Sequence, residues 1–191
     1  MPRNVMLREG EKANMVFYLK SGMARVSRTL PDGQRQIVGF ALQGELLGND
    51  FCEHVGFSVE AIDRVCAVQF QRPAFTACIN AQPEIMKAIH ALTASALSRA
   101  WHHMVVLGRK TADEKLAAFL IGLHDRQTEL SASTVHIPLA MTRLDIADYV
   151  GLTIETVSRT LSKFARQKLI VITPNGVRLL KEQTIRIMGE I

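Results

Sequence analysis

Residues 142–164 carry small, apolar and capping residues at the spacing that a helix–turn–helix requires. Apolar residues recur at helical intervals on both sides of one glycine: Ile146, Ala147 and Val150 precede Gly151, and Val157 and Leu161 follow it. This spacing predicts two short helices that pack their apolar stripes together, with glycine allowing the tight turn between them. Thr153 is placed to cap the second helix, and Glu155 suits the positive end of its dipole.

The exposed face of the second helix is predicted to hold Glu155, Ser158, Arg159 and Lys163. In a DNA major groove, arginine pairs with guanine, glutamate accepts a hydrogen bond from cytosine, and serine can serve several bases. A lysine one turn further along the helix suits a backbone phosphate. The segment therefore favours sequence-specific binding of double-stranded DNA. The competing interpretation is an ordinary amphipathic pair of helices with a charged solvent face.

The region 16–75 alternates short β-branched and aromatic runs with turn residues, which is typical of an antiparallel sandwich or barrel. The turn signal Pro31-Asp32-Gly33 supplies a fixed φ and then a residue for positive φ. We therefore predict a hairpin that joins a strand over 23–29 to a strand over 34–40.

A helical period begins after Pro83 and predicts a helix that runs to about Leu107. Its apolar stripe is predicted to contain Ile85, Ile89, Leu92 and Ala96. We predict that this helix pairs with its copy in a homodimer, each stripe buried against its twin. The alternative is that the helix packs only on its own barrel. A second helix is predicted over 111–124, with Leu116, Phe119, Leu120 and Leu123 as its apolar face.

Two β-branched runs, 169–172 and 177–180, flank an Asn175-Gly176 turn and predict a two-stranded wing after the helix–turn–helix. Arg178 lies near this turn, where it could touch a phosphate or remain a solvated charge on an edge strand. The stretch 159–168 contains four basic residues and no acid, which is a local charge that attracts phosphates.

The composition suits a folded protein, since 48% of the 191 residues are hydrophobic and the net charge is +5. The N-terminus is too polar for a signal peptide, and no window approaches the roughly 20 apolar residues of a membrane-spanning helix. Three cysteines without paired spacing indicate a reducing compartment. We therefore expect a soluble, cytoplasmic protein that has no membrane partner.

Five segments taken together resemble the CRP/FNR family of bacterial transcription regulators: 17–22, 32–37, 44–48, 108–115 and 155–159. The resemblance covers nearly the whole chain. It implies an α+β protein with an N-terminal antiparallel β jelly-roll sensor domain (1–80) like that of cyclic-nucleotide-binding proteins. A long dimerisation helix (81–107) and a C-terminal winged helix–turn–helix DNA-binding domain (108–191) would follow. The resemblance further implies a homodimer, a contact with RNA polymerase, and a role as a transcription activator.

Within the family, Glu155, Ser158 and Arg159 resemble the reading set of the FNR and FixK branches, which implies TTGA-like half-sites in an inverted repeat. By that analogy Arg159 contacts guanine, Glu155 contacts the neighbouring base pairs, and Ile154 and Ser158 contact the outer thymines. The expected phosphate contacts are Thr142, Arg143, Thr153, Thr156, Lys163 and Arg178. The same branches imply anaerobic, redox or nitrogen-oxide-linked control.

The sensor domain departs from the relatives that bind cyclic nucleotides. Asn49 and Asp50 follow Gly48, and Val59 and Glu60 stand where an Arg-Ser pair would grip the phosphate. A carboxylate would then meet the anionic phosphate, so we do not expect cyclic AMP to bind.

An iron–sulfur cluster, as in the FNR branch, is not supported either, because such a cluster ordinarily needs four thiolates. Cys66 lies where the family places its barrel cysteine, but its three N-terminal partners are absent. The chain also starts roughly twenty residues later than is usual in the family, so an upstream segment that carries more cysteines stays open. We expect Cys66 and Cys78 to be small core residues. Cys52 and Cys66 are the candidate redox-active thiols.

Two alternatives remain. One is an effector-gated regulator that uses haem, through one of the histidines, or another small ligand in the barrel. The more distant one is a β-barrel metal enzyme. His54 is the only histidine of residues 1–80, which argues against a metal site in the barrel. The sequence also lacks a glycine-rich phosphate loop, a nucleophile elbow and an HExxH helix. We therefore predict no enzyme activity, no catalytic residues, no metal site and no evident cofactor.

Overall fold

The computed structural model describes residues 5–49, 52–129 and 135–190. Asp50, one of the residues that bear on cyclic-nucleotide binding, lies outside them. The chain forms two compact units, of which the first ends at Ala100 and the second begins at Trp101.

Strands in the described part of the first unit are β1 (Val5–Leu7), β2 (Met15–Ser21), β3 (Ala24–Thr29), β4 (Arg35–Ala41), β5 (Leu46–Leu47), β6 (Ser58–Ala61) and β7 (Cys66–Gln71). They form two antiparallel sheets, with the orders β1-β6-β3-β4 and β5-β2-β7. Residues from both sheets share one apolar core, which includes Leu7, Leu19, Ala41 and Val59. The domain is thus the antiparallel sandwich that its sequence pattern predicts.

The predicted hairpin is confirmed, since β3 and β4 pair from Ala24↔Ala41 to Thr29↔Arg35. The Asp32 carboxylate accepts a hydrogen bond from the Gln34 backbone N–H at 2.9 Å. Gly33 adopts a φ of 81°, in the left-handed region that glycine enters without a steric cost.

Two helices follow the strands, α1 (Arg72–Ala81) and α2 (Pro83–Arg109). The sequence pattern does not separate α1 from the strands before it. Phe75 and Ile79 are the buried residues of α1, and they form a small core with Val16 and Ile89. This core fixes the first turns of α2 on the sheet.

The four residues of the predicted dimerisation stripe lie in two different environments. Ile89 is buried within the core of its own domain, and Ile85 packs against the same core. Leu92 and Ala96, in contrast, are exposed. Helix α1 supplies the apolar surface that covers Ile85 and Ile89. The sequence pattern does not predict α1, and without this helix Ile85 and Ile89 were assigned to the dimer interface.

The cysteine prediction is wrong for two of the three residues. Cys66 and Cys78 were expected in the core, whereas both are exposed, as is Cys52. Cys66 begins β7, which lies at the edge of its sheet. Cys78 lies on the outer side of α1, beside the buried Ile79.

The second unit holds α3 (Ala112–Thr128), β8 (His136–Pro138), α4 (Arg143–Val150), α5 (Ile154–Arg166), β9 (Ile170–Thr173), β10 (Gly176–Leu179) and α6 (Glu182–Gly189). Strands β9 and β10 form the predicted wing, and β8 pairs with the other edge of β10. Neither β8 nor α6 is evident in the sequence pattern.

Helix α6 packs on α3 at very short range. A Cβ atom at Gly189 would lie 2.8 Å from the Ala118 backbone nitrogen, so only glycine fits there. Arg186 of α6 donates hydrogen bonds to both Asp125 carboxylate oxygens, at 2.9 and 2.7 Å. These contacts hold α6 against the middle and C-terminal turns of α3. Across the described ranges, no helix combines the length and the apolar character needed to cross a membrane.

Candidate nucleic-acid interface

Helix α4 begins with a reciprocal cap. Thr142 accepts a hydrogen bond from the Asp145 backbone N–H at 3.1 Å, and the Asp145 carboxylate accepts one from the Thr142 backbone N–H at 3.0 Å. Two orphan N–H groups of the first turn are satisfied in this way. The predicted inward residues Ile146, Ala147 and Val150 are buried, which confirms the apolar stripe of the first helix.

The turn between the two helices depends on Gly151, as predicted. This glycine ends α4 in the left-handed region, with φ 63° and ψ 49°. An added Cβ atom would lie 3.3 Å from Leu107 Cδ2, closer than ordinary contact. Conformation and space therefore both favour glycine here.

Helix α5 begins at the predicted cap. Thr153 accepts a hydrogen bond from the Thr156 backbone N–H at 3.2 Å. Val157 and Leu161 are buried as predicted, together with Phe164. The buried apolar side chains lie on one face of α5, and the opposite, polar face is open to solvent.

That open side presents the predicted base-reading residues. Ile154, Glu155, Ser158 and Arg159 are all exposed. Arg159 Nη2 donates a hydrogen bond to Thr156 Oγ1 at 3.3 Å, which holds the guanidinium beside the first turn. Hydrogen bonds from its own backbone N–H and from the Thr153 side chain lower the pKa of the Glu155 carboxyl. Glu155 therefore faces solvent as a hydrogen-bond acceptor.

The predicted phosphate contacts fall into different environments. Thr142 and Thr153 use their hydroxyls in the helix caps, and Thr156 is half-buried. Arg178 is exposed on β10. Arg143 is half-buried, and burial lowers the pKa of its guanidinium. These assignments stay predictions.

Lys163 differs from the other predicted phosphate contacts because an acid already holds it. Its ammonium group pairs with the Asp113 carboxylate, which belongs to the first turn of α3. No local sequence pattern indicates this pair, since the two residues are 50 positions apart.

A second contact that sequence reasoning missed joins α2 to α4. The His103 ring stacks on Tyr149 with centroids 4.0 Å apart and planes 4° apart. Burial lowers the pKa of His103 below 6.5, and the nearby His102 and Lys115 act in the same direction. A hydrogen bond to the Tyr149 backbone opposes them. His103 is therefore held in its neutral form inside the second unit.

The two residues that stand where an Arg-Ser pair would grip a cyclic nucleotide phosphate, Val59 and Glu60, are engaged within the sensor domain. Glu60 accepts a hydrogen bond from Arg25 Nε at 2.7 Å, and Arg25 is itself buried. Val59 faces the apolar core. The position that would grip the phosphate therefore holds a carboxylate already paired within the protein. Among residues 5–49, 52–129 and 135–190, no three histidine, cysteine or acidic side chains lie close enough to hold a metal ion.

Comparison with known proteins decides the family. The chain is 45% identical over 179 residues to the transcriptional activatory protein AadR of Rhodopseudomonas palustris, covering 94% of this chain and 75% of that protein. The chain belongs to the CRP/FNR family. It is also 47% identical to a nitrogen fixation regulation protein FixK of Bradyrhizobium diazoefficiens, covering 86% of this chain and 70% of that protein. This CRP/FNR protein is therefore a DNA-binding transcription regulator and not an enzyme.

Domain families and a solved structure agree with this assignment. The cyclic nucleotide-binding domain family matches residues 1–82, and the Crp-like helix-turn-helix domain family matches residues 114–186. The structure of FixK2 from Bradyrhizobium japonicum superimposes with a TM-score of 0.89 at 30% identity, covering 99% of this chain and 94% of that one. The fold predicted for this CRP/FNR protein, an antiparallel sheet domain followed by helices and a helix–turn–helix, is thus confirmed.

Proposed function

We propose that this CRP/FNR protein binds, as a homodimer, an inverted repeat of TTGA-like half-sites and activates transcription from there. One observation carries the proposal: Glu155, Ser158 and Arg159 are exposed together on the open side of α5. Their side chains match the hydrogen-bonding edges that a major groove presents. The caps at Thr142 and Thr153 fix the backbone from which these side chains project.

Each reading residue has a distinct chemical role. Arg159 donates two hydrogen bonds to the guanine of the half-site, as a planar guanidinium does best. Glu155 accepts from the exocyclic amines of the neighbouring base pairs, as a carboxylate that is ionised at neutral pH. Ser158 and the apolar Ile154 contact the outer thymines, where a methyl group favours an apolar neighbour.

The dimer is proposed to form along α2, on a different face from the one predicted. Leu97, Trp101 and Met104 are 48%, 58% and 60% exposed. Their spacing of four and then three residues is that of a coiled-coil seam. Large apolar side chains at this spacing in water favour a second copy of the same helix. The two reading helices would then lie about one DNA turn apart, roughly 34 Å.

The direction and signal of control are proposed from the relatives. AadR is described as a transcriptional activatory protein and FixK as a nitrogen fixation regulation protein. We accordingly propose activation through contact with RNA polymerase, in anaerobic, redox or nitrogen-oxide-linked control. The paired Glu60 supports a regulator that needs no cyclic nucleotide.

The test is a titration of aerobically purified protein into a labelled TTGAT-N4-ATCAA duplex and into a scrambled duplex. Salt is held at about 0.15 M, because phosphate contacts otherwise mask sequence preference. We expect binding about 10³-fold or more tighter on the repeat, the lower end of specific recognition. Added cyclic AMP should leave both affinities unchanged. Equal affinity for the two duplexes under aerobic and anaerobic preparation would contradict the proposed half-site.

A further inference from the structure

The contact between Lys163 and Asp113 joins the reading helix to an acid on another helix. Asp113 lies in the first turn of α3, where the helix dipole favours a negative charge whether or not a lysine is near. The side chains of Lys163 and Asp113 are 45% and 29% exposed. The pair is thus open to solvent on the side of α5 that is proposed to meet DNA.

Lys163 is placed for a phosphate contact by helical geometry. It follows Arg159 by four residues, so it lies one turn further along the same side of α5. A carboxylate at contact distance cancels the charge of the ammonium group. The same carboxylate also repels any phosphate that approaches it.

Exposed ion pairs of this kind are weak, because water screens their charges and both side chains lose freedom in the pair. Such a pair adds little to the stability of the domain, and its charges remain available to a third group. A DNA phosphate is a strong competitor, since it also releases condensed counterions on binding. A single substitution should therefore be enough to change whether Lys163 pairs with Asp113 or with a DNA phosphate.

We propose that Asp113 is an internal competitor of the DNA backbone, which holds Lys163 in the free protein and weakens binding to DNA of every sequence. This proposal rests on the proposed function only in taking DNA as the ligand of this face of α5. Asp113 sets the strength and the salt dependence of binding, whereas Glu155, Ser158 and Arg159 set its sequence preference. Removal of the carboxylate frees one cation per protomer for a phosphate.

The experiment compares Asp113→Asn with Glu129→Gln in the full-length protein. Each substitution removes one negative charge. Asp113 lies in the first turn of α3, whereas the exposed Glu129 caps the opposite, C-terminal end of the same helix. Fluorescence anisotropy gives the affinity for the TTGAT-N4-ATCAA duplex and for the scrambled duplex between about 0.05 and 0.3 M salt, a range over which phosphate contacts change affinity strongly.

We expect Asp113→Asn to bind both duplexes about 3- to 10-fold tighter at about 0.15 M salt. The slope of log affinity against log salt should steepen by about 0.9 per protomer, the value for one added phosphate contact. Glu129→Gln should change either affinity by less than about 2-fold, since a distant exposed charge is screened.

Lys163→Gln shows whether the gain passes through the lysine. In that background, Asp113→Asn should strengthen binding much less, because only the repulsion between the carboxylate and the phosphate is then removed. An Asp113→Asn protein that binds no tighter than Glu129→Gln, or a gain that is undiminished without Lys163, would overturn the proposal. Urea unfolding of each variant separates this result from a loss of folding. Loss of preference for the repeat in the unsubstituted protein would contradict the proposed half-site alone, because the comparison uses both duplexes.

Discussion

Arg159 combines exposure with a fixed position, and this makes it a suitable reader of one base. Its hydrogen bond to Thr156 reduces the side-chain freedom that is lost when a base is bound. Thr156 in turn contacts the capping Thr153 at 3.1 Å. A chain of polar contacts thus runs from the helix cap to the guanidinium, and we expect the cap to contribute to recognition as well as to stability.

Arg159→Ala is expected to cost about 1–3 kcal/mol per half-site on the TTGA repeat, because two hydrogen bonds to guanine are lost. On a duplex in which that guanine is replaced by adenine, the substitution should cost much less. Lys163→Gln serves as the comparison, since it should affect the two duplexes alike. Affinities measured by anisotropy at one salt concentration decide this. Equal losses for Arg159→Ala on both duplexes would contradict its role as a base reader.

Single residues were predictable from the sequence where their cause is local. Gly151 and Thr153 act through their own backbone or through a neighbour three residues away, so the segment itself contains the signal. Lys163 and His103 contact Asp113 and Tyr149, which come from other helices. No pattern within α5 or α2 contains that information, and it appears only once the helices are packed.

The same distinction holds for whole elements. The β3–β4 hairpin and the wing were predictable because turn residues mark both. Helix α6 spans only Glu182–Gly189 and owes its place to contact with α3, including the close approach at Gly189. The sequence of helix α1 likewise contains only one indication of a helix, a proline in its first turn, within a region whose pattern is typical of strands. Short elements that depend on tertiary contact carry little periodicity of their own.

Helix α2 provides the sharpest prediction at this scale, because the dimer stripe predicted from sequence and the large apolar side chains that the structure exposes lie on different faces. Leu97→Glu places a carboxylate in the proposed seam, where each copy faces its twin, and we expect the protein to become monomeric at micromolar concentration. Leu92→Glu is the matched control. Leu92 lies five residues earlier, about 140° around the helix from Leu97, and belongs to the stripe predicted from sequence. We expect this variant to remain dimeric in light scattering after gel filtration.

The reverse result would restore the stripe predicted from sequence. Dissociation by Leu92→Glu with Leu97→Glu still dimeric would contradict the seam at Leu97, Trp101 and Met104. Binding to the inverted repeat gives an independent readout, because a monomer engages one half-site at a time and loses the gain from simultaneous contact. Circular dichroism of both variants confirms that the helix itself is retained.

At the scale of the whole molecule, the two units differ in the polar contacts that they hold. The sheet domain satisfies its own buried charge through Arg25 and Glu60. The second unit carries the reading helix and a titratable contact, His103 on Tyr149. We therefore expect a fall of pH below about 6.5 to act on the second unit through His103, in a way that the sequence pattern did not reveal.

The sign of this effect follows from linkage. Burial lowers the pKa of His103 in the folded protein below its value of 6.5 when unfolded. Between these two values the unfolded chain binds more protons, so the free energy of unfolding rises with pH. Stability is fully present above about pH 6.5 and declines as the pH falls toward the folded pKa. The groups around His103 do not reverse this, since His102 and Lys115 are cationic when charged.

We expect the unsubstituted protein to lose more stability between pH 7.5 and 5.5 than His103→Gln does. Glutamine cannot titrate, so the free energy of unfolding of this variant should depend less on pH. The variant also loses the stack on Tyr149, which lowers its stability at pH 7.5. His102→Gln, at the exposed neighbouring position, should retain most of the dependence of the unsubstituted protein, because burial is the largest cause of the lowered pKa of His103 and the His102 charge a smaller one. The single tryptophan, Trp101, lies two residues before His103 and reports urea unfolding of this region by its fluorescence. Because Trp101 also belongs to the proposed dimer seam, all measurements use one protein concentration. Parallel pH curves for the unsubstituted protein and His103→Gln would show that His103 does not carry the effect.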